Sequence, residues 1–369
     1  MKIDVVQEFM ALAAINSPSR HELPVAEVLL RQLRELGLEP LVDDSAPRSG
    51  SDVGNILVRV PGNAPGPVVL LAAHMDTVGP TEGMTPVLRD GVIYSNGRTV
   101  LGADDKAGVA MLMALLAELQ AGGIPHPALE IVFTVQEEVG LFGVSYMQEK
   151  LTAAFGYVLD GDGPVGHIVN QSPSKVDLDF TIAGKAAHAG VCPEAGINAI
   201  AVAARAIARL KIGRLDARTT ANVGVIGGGK ARNIVPDHAE AAIEVRSTDR
   251  ERLEREVQAI VAAFEEEAAA AGASVTVKRE VPFEAFRIAE THPVVINALQ
   301  AASALGIASQ LCVSGGGFDA NVFNSRGLPC VALGIGIEDA HSPQEHIATA
   351  QLVQGVAFLK ALLAEALYR

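Results

Sequence analysis

Five short stretches of this chain carry residues able to hold a metal ion or move a proton: His74-Met75-Asp76, Asp104-Asp105-Lys106, Glu137-Glu138, Asp160 and His341. Four of them follow apolar runs. VVLLAA leads to His74, EIVFTVQ to Glu137, YVL to Asp160, and VALGIGIEDA to His341, while the Asp104 group begins a long apolar helix. Imidazoles and carboxylates without a thiolate suit a borderline divalent ion bound through nitrogen and oxygen, zinc first, with manganese or cobalt as alternatives. A single tetrahedral site needs three or four protein ligands. His74, Asp104, Glu138, Asp160 and His341 exceed that, with Asp76 and Glu137 left over. The surplus predicts two ions ~3.5–4 Å apart sharing one carboxylate, a pair that acidifies a bridging water and polarises a carbonyl.

The leftover acids have roles of their own. Strand alternation puts His74 and Asp76 on one face, so the Asp76 carboxylate is expected to accept the second imidazole N–H and fix the tautomer. Glu137 precedes the ligand Glu138 at an irregular strand end. Its side chain is therefore expected to diverge and serve as general base towards the water. Singly, each residue has an ordinary explanation as a rim imidazole, an exposed turn or a helix N-cap. Their joint occurrence at strand ends makes them a site.

The surrounding elements follow from apolar spacing. Helices are expected over residues 3–16, 20–36 and 104–121, with strands at 55–60, 68–74, 128–135 and 157–160, a hairpin at 87–94 and a short helix at 141–150. Near-continuous apolar strands alternating with helices indicate an α/β domain, a mainly parallel sheet with helices on both faces. In such a sheet, function sits beyond the carboxyl ends of the strands.

The pattern changes near residue 175. VDLDFTIAG alternates apolar and polar residues; a helix (195–211), strands (221–226 and 239–246), a helix (249–271) and a strand (274–280) follow. This predicts an inserted α+β, ferredoxin-like lid of ~110 residues. The α/β style then returns with a helix at 292–305, a Gly-rich turn, a strand at 331–336 and a helix at 349–367. The expected domains are therefore 1–174 with 288–369, and 175–287.

Composition excludes several classes. The 369 residues carry 43 acidic and 29 basic side chains, a net charge of −14, which repels phosphate backbones and argues against a nucleic-acid partner. The longest apolar run, 107–117, is too short to cross a bilayer, so no membrane partner is expected. Cys192, Cys312 and Cys330 lie far apart and form no CxxC pair. With Asp4, Gln7 and Glu8 where a leader would be apolar, a reduced cytoplasmic protein is expected.

Taken in order, these motifs resemble the M20 family of dinuclear metallopeptidases, and within it the peptidase T-like, tripeptidase-like branch. The stretches GADDKAG, EEVGLFG, LDGDGPVG, GGGFDANVFNSRGLPCVALGIG and EDAHS carry the likeness over nearly the whole chain. The resemblance implies that His74 and Asp160 hold one ion, Glu138 and His341 the other, and that Asp104 bridges them. It also implies Asp76 as orienter, Glu137 as base and a cis Asp104–Asp105 peptide. In the lid, GKAAHAG matches the segment whose histidine, here His188, stabilises the tetrahedral intermediate, often from the other subunit of a dimer. Asn233 in ARNIVPD and Arg246 in IEVRS match substrate-contacting positions. Asp at position 160 goes with aminopeptidase-type members and Glu with carboxypeptidases and deacylases. The segment between His74 and Asp104 is shorter than in true tripeptidases, which bears on recognition of the free amine.

The expected function is hydrolysis of an N-terminal bond in a short peptide, with a homodimer formed through the lid. The alternatives are an amidase acting on N-acyl amino acids and a non-catalytic peptide-binding relative. Gly224 to Lys230 has P-loop spacing, but Ala231 stands where a magnesium-binding hydroxyl belongs. Gly161 to Gly166 fits a dinucleotide fingerprint without a following helix. Around Gly316, the run Gly315-Gly316-Gly317 either cradles a substrate carboxylate or permits a tight turn.

Overall fold

Four aliphatic strands lie side by side and parallel, in the order Leu129–Thr134, Val69–His74, Phe155–Gly161 and Cys330–Gly334. The computed structural model describes residues 2–79 and 81–367. All residues of Val69–His74 and Leu129–Thr134 are buried, as expected of strands covered on both faces. The four belong to a nine-stranded sheet. On one side it continues through Ile56–Val60, antiparallel to Leu129–Thr134, to Leu41–Val42; on the other side lie His167–Ser172, Phe286–Arg287 and Gln310–Val313. The helix Ala103–Ala121 links two of the parallel strands and is buried nearly all round, which its run of Ala, Met and Leu allows. Its neighbours in the core come from the helices Val5–Ala13 and Thr349–Ala366.

The chain divides into two units, Met1–Ser172 with Arg287–Arg369, and Pro173–Phe286. In the first unit a separate four-stranded antiparallel sheet runs in the order Ile337–Glu338, His346–Ala348, Val92–Tyr94, Val87–Arg89. Its hairpin turns at Asp90 (φ 51°) and Gly91 (φ 78°), the left-handed pair that a two-residue hairpin loop requires. The expected strand at 331–336 ends early. At Gly336 (φ 85°) the chain leaves the main sheet for the small one, so His341 lies in the connection Ile337–Glu338 to His346–Ala348 rather than at the end of a parallel strand. The strand Gln310–Val313 and helix Asp319–Ser325 are further elements that the periodicity did not reveal.

The second unit is an antiparallel sheet ordered Gly213–Asp216, Thr219–Gly228, His238–Ser247, Ser174–Ala183, Ser274–Phe283. Without the short first strand this is the βαββαβ ferredoxin-like order. Val176, Leu178, Phe180 and Ile182 are buried while Asp179 and Thr181 between them are exposed, so alternation sets which face the helices cover. The helices Ala199–Ala208 and Arg250–Ala271 complete that core, with the Phe180 and Phe264 rings stacked 3.9 Å apart. Among the described residues no helix is long and apolar enough to cross a membrane.

Candidate metal centre

Strand register brings the first ligands together. Ala72 pairs with Val158, so two residues further on His74 and Asp160 stand side by side at the carboxyl rim, and His74 pairs with Thr134 just ahead of Glu137 and Glu138. His74 Nε2 lies 3.1 Å from Asp104 Oδ1 and 3.8 Å from Asp160 Oδ1. The other Asp104 oxygen, Oδ2, lies 3.1 Å from His341 Nε2, which is also 3.2 Å from Glu138 Oε1. All five ligand candidates therefore meet, and the two oxygens of one aspartate face two imidazoles. His74, Glu137 and Asp160 form a second triad of mutually close ligand atoms. The Asp104–Asp105 peptide is cis.

The tautomer of His74 follows from its neighbours. Nδ1 lies 2.9 Å from the Asp76 carbonyl oxygen, which only accepts, so Nδ1 carries the hydrogen and Nε2 presents its lone pair to Asp104 and Asp160. The Asp76 carboxylate also faces this ring, with Oδ1 3.4 Å from Nδ1. That carboxylate accepts the Glu137 N–H (3.0 Å), the Glu138 N–H (3.2 Å) and the Ser19 hydroxyl (2.6 Å) as well. It thus caps the turn that spreads the two glutamates.

A ring nitrogen facing carboxylate oxygens at such distances needs positive charge between them, a proton where no metal is bound, and the titration behaviour without metal reflects this. Burial alone would lower the pKa of His74, but Asp104, Asp160 and Asp76 outweigh it and raise it well above the usual value. Hydrogen bonding to Asp104 and Glu138 pushes His341 up to about 10. Burial would raise Asp104, yet His341 and His74 hold it well below the carboxylate range. Burial, with Asp160 beside Glu137 and Asp104 beside Asp160, raises both of those groups well above it, and burial raises Glu138 too. Oxygen and nitrogen donors crowded with excess negative charge are the donor set that divalent ions satisfy.

Several buried groups supporting this site had no assigned role in the motif reading. Asp105 accepts the His74 N–H (3.1 Å) and the Gly108 N–H (3.1 Å). Lys106 is fully buried and donates to the Ile15 carbonyl at 2.5 Å; burial lowers its pKa to about 7 against the opposing pull of Glu345 and Asp76. Glu22 accepts the Gln136 N–H (3.1 Å), and Asp319 accepts the Thr134 hydroxyl (2.5 Å), with burial raising Asp319 to about 6. Asp105 and Lys106 stood beside Asp104 in GADDKAG and Asp319 stood inside GGGFDANVFNSRGLPCVALGIG, while Glu22 lay outside every motif.

The remaining candidates are placed differently. Gly316 donates its N–H to the Ser314 hydroxyl (2.9 Å), and its carbonyl accepts from Ser172 (2.8 Å), so its polar backbone serves the loop itself. In the second unit, exposed His188 and Asn233 lie on paired segments: the Ala189 N–H donates to the Asn233 carbonyl (3.0 Å), and His188 bridges to Ile234. The Gly190 N–H donates to His188 Nδ1 (3.2 Å), which leaves Nε2 as the hydrogen-bearing atom of a neutral ring. Arg246 lies towards the other end of the strand His238–Ser247, and both its Nε (3.1 Å) and Nη2 (3.2 Å) donate to the Glu244 carboxylate. The structure therefore joins His188 with Asn233 and separates both from Arg246.

Residues 70–365 match the family described as peptidase family M20/M25/M40. The chain is 39% identical over 363 residues to an uncharacterized Bacillus subtilis protein, YqjE, which covers 98% of each chain. The solved structure of an aminopeptidase PepT from Bacillus cereus superposes with a TM-score of 0.89 at 39% identity, covering 99% of this chain and 98% of that one. A Staphylococcus aureus tripeptidase superposes with a TM-score of 0.94 at 34% identity, covering 100% of both. The chain belongs to peptidase family M20/M25/M40, in its peptidase T-like branch, and is a hydrolase of peptide bonds.

Proposed function

We propose that this peptidase removes the N-terminal residue of short peptides, using two divalent ions at the rim of its parallel sheet. The observation carrying this is the single Asp104 carboxylate whose two oxygens each face one imidazole, His74 beside Asp160 and His341 beside Glu138. The residues fit such ions: five nitrogen and oxygen donors meet at one rim, with no thiolate among them. His74 and Asp160 would hold one ion and Glu138 and His341 the other, with Asp104 shared; zinc suits the set, and manganese or cobalt are alternatives. Bound there, the ions would acidify a water molecule and polarise the scissile carbonyl. Glu137 is the general base: its carboxylate takes a proton from the attacking water and returns it to the departing amine. The capping of both glutamate N–H groups by Asp76 keeps Glu137 apart from Glu138. His188 donates from Nε2 to the developing oxyanion.

The lid supports a homodimer. Residues 222–228 form the outer part of the strand Thr219–Gly228, beyond the three residues that the short strand Gly213–Asp216 covers, and no other described strand pairs with that edge. The segment has no charge, and Val225 (63%) and Ile226 (53%) are exposed along it, an edge suited to a second copy. From His238 to Arg246 the strand spans roughly 26 Å at ~3.3 Å per residue, so one small peptide does not touch both His188 and Arg246 of one lid. The two residues would come from different copies. Inactive His188→Ala and Arg246→Ala proteins, mixed and re-equilibrated, should then recover about a quarter of wild-type turnover, since half the dimers are mixed and each has one intact site. No recovery on mixing would mean that both residues of a site come from one copy, and full activity of either single variant would remove that residue from the site. With three free cysteines, we place the enzyme in the reducing cytoplasm.

Substrate choice is tested directly. Free-amine di- and tripeptides should be cleaved, with N-acetylation of the same peptides lowering kcat/KM by about 10²-fold or more. Preference for N-acyl amino acids would make the protein an amidase instead.

A further inference from the structure

Glu345 lies four residues after His341 and is 1% exposed. Its carboxylate accepts three backbone N–H groups from a segment 241 to 244 residues away. Oε2 takes those of Leu101 (2.8 Å) and Gly102 (2.9 Å), and Oε1 takes that of Asp104 (3.1 Å). Three donors converge because Gly102 adopts φ 73°, which turns successive N–H groups to one side and forms a concave anion cradle. A side chain at Gly102 would be strained by that φ and would meet Thr77 Cγ2 at 3.0 Å.

The loop bearing His341 is otherwise folded mainly on itself. The Ser342 hydroxyl donates to the Asp339 carbonyl (2.7 Å), the Gln344 N–H to the Ser342 hydroxyl (3.2 Å) and the Glu345 N–H to the Ser342 carbonyl (3.1 Å). One outside contact, from the Ser95 hydroxyl to the Pro343 carbonyl (2.9 Å), anchors it to the small sheet. Apart from the His341 ring facing Asp104 Oδ2, this loop is linked to the backbone of the segment presenting Asp104 by the Glu345 carboxylate.

We propose that Glu345 is a positioning residue for the metal centre, one carboxylate tying the Asp104 turn to the His341 loop and thereby building the second cation site. Resting on the two-ion reading above, this adds an asymmetry. His74 and Asp160 stand at the ends of adjacent parallel strands whose register holds them without Glu345. His341 has no such support, and its distance from Asp104 depends on the clamp. Loosening the clamp therefore weakens the ion between His341, Glu138 and Asp104 far more than the ion at His74.

The test is Mn²⁺ binding to metal-free protein, followed by calorimetry and by the electron paramagnetic resonance signal of a spin-coupled ion pair. Glu345→Gln keeps the volume but has a single acceptor oxygen for three donors. Its second Mn²⁺ affinity should fall at least ~10-fold and the coupled-pair signal should weaken, while the first affinity stays within ~3-fold of wild type. A purely structural role would lower the melting temperature and affect both ions alike. Equal loss at both sites, or wild-type affinity at both, overturns the inference. If the Gln variant does not fold, Glu345→Asp, a carboxylate of shorter reach, replaces it with the same expected asymmetry. Should wild-type protein itself bind fewer than two ions, the two-ion reading fails; two ions in wild type and two equally tight in the variant sinks only the clamp.

Discussion

Replacing Glu137 with Gln is expected to lower kcat by about 10²–10⁴-fold while both ions stay bound. Gln is nearly isosteric and cannot carry a proton away from water, so the substitution removes the base and little else. The backbone is held independently of that side chain, since the Glu137 N–H donates to Asp76. Metal analysis decides between two roles, because Glu137 is close enough to His74 and Asp160 to act as a ligand. A variant that loses turnover together with an ion marks Glu137 as a ligand. A variant with normal turnover removes it from the mechanism.

Asp104→Ala is expected to cost more than any other single change, abolishing turnover and weakening both ions beyond the ~10–100-fold typical of losing an outer partner. Its two oxygens lie 3.1 Å from His74 Nε2 and 3.1 Å from His341 Nε2. In wild-type protein, chelation should likewise abolish turnover, with recovery on adding Zn²⁺, Mn²⁺ or Co²⁺. The same substitution has a readout without metal. Asp104 is the first contributor to the raised pKa of His341, about 10, so in the metal-free variant that ring should titrate lower, towards ~6.5. NMR of the histidine ring protons follows this. The sign for metal follows as well: the imidazoles must lose protons to become ligands, so affinity should rise with pH. A variant retaining two ions and turnover would end the bridging assignment.

Much of the site was legible because it sits where periodicity is strong. Buried strands read as unbroken apolar runs, and parallel pairing puts their carboxyl ends on one rim, so His74, Glu137, Glu138 and Asp160 could be grouped without coordinates. The lid was legible for a related reason, since alternation along VDLDFTIAG marks a half-covered sheet. His341 was legible as a residue but not as a location. Its loop is set by left-handed residues, Asp339 (φ 53°) and His341 itself (φ 63°), and by a small sheet whose strands lie far apart in the chain.

What the chain determines by itself is the inventory: donor types, their order, and the strands that carry most of them to one edge. Local apolar spacing and side-chain chemistry are properties of short segments, and they survive being read one stretch at a time. The tertiary structure alone decides which oxygen of Asp104 meets which imidazole, that the Asp76 carboxylate also caps the turn bearing both glutamates, and that Glu345 joins two loops. Those outcomes depend on backbone N–H groups and carboxylates brought together across tens to hundreds of residues. No periodic pattern encodes such meetings, because each arises from the packing of the whole domain.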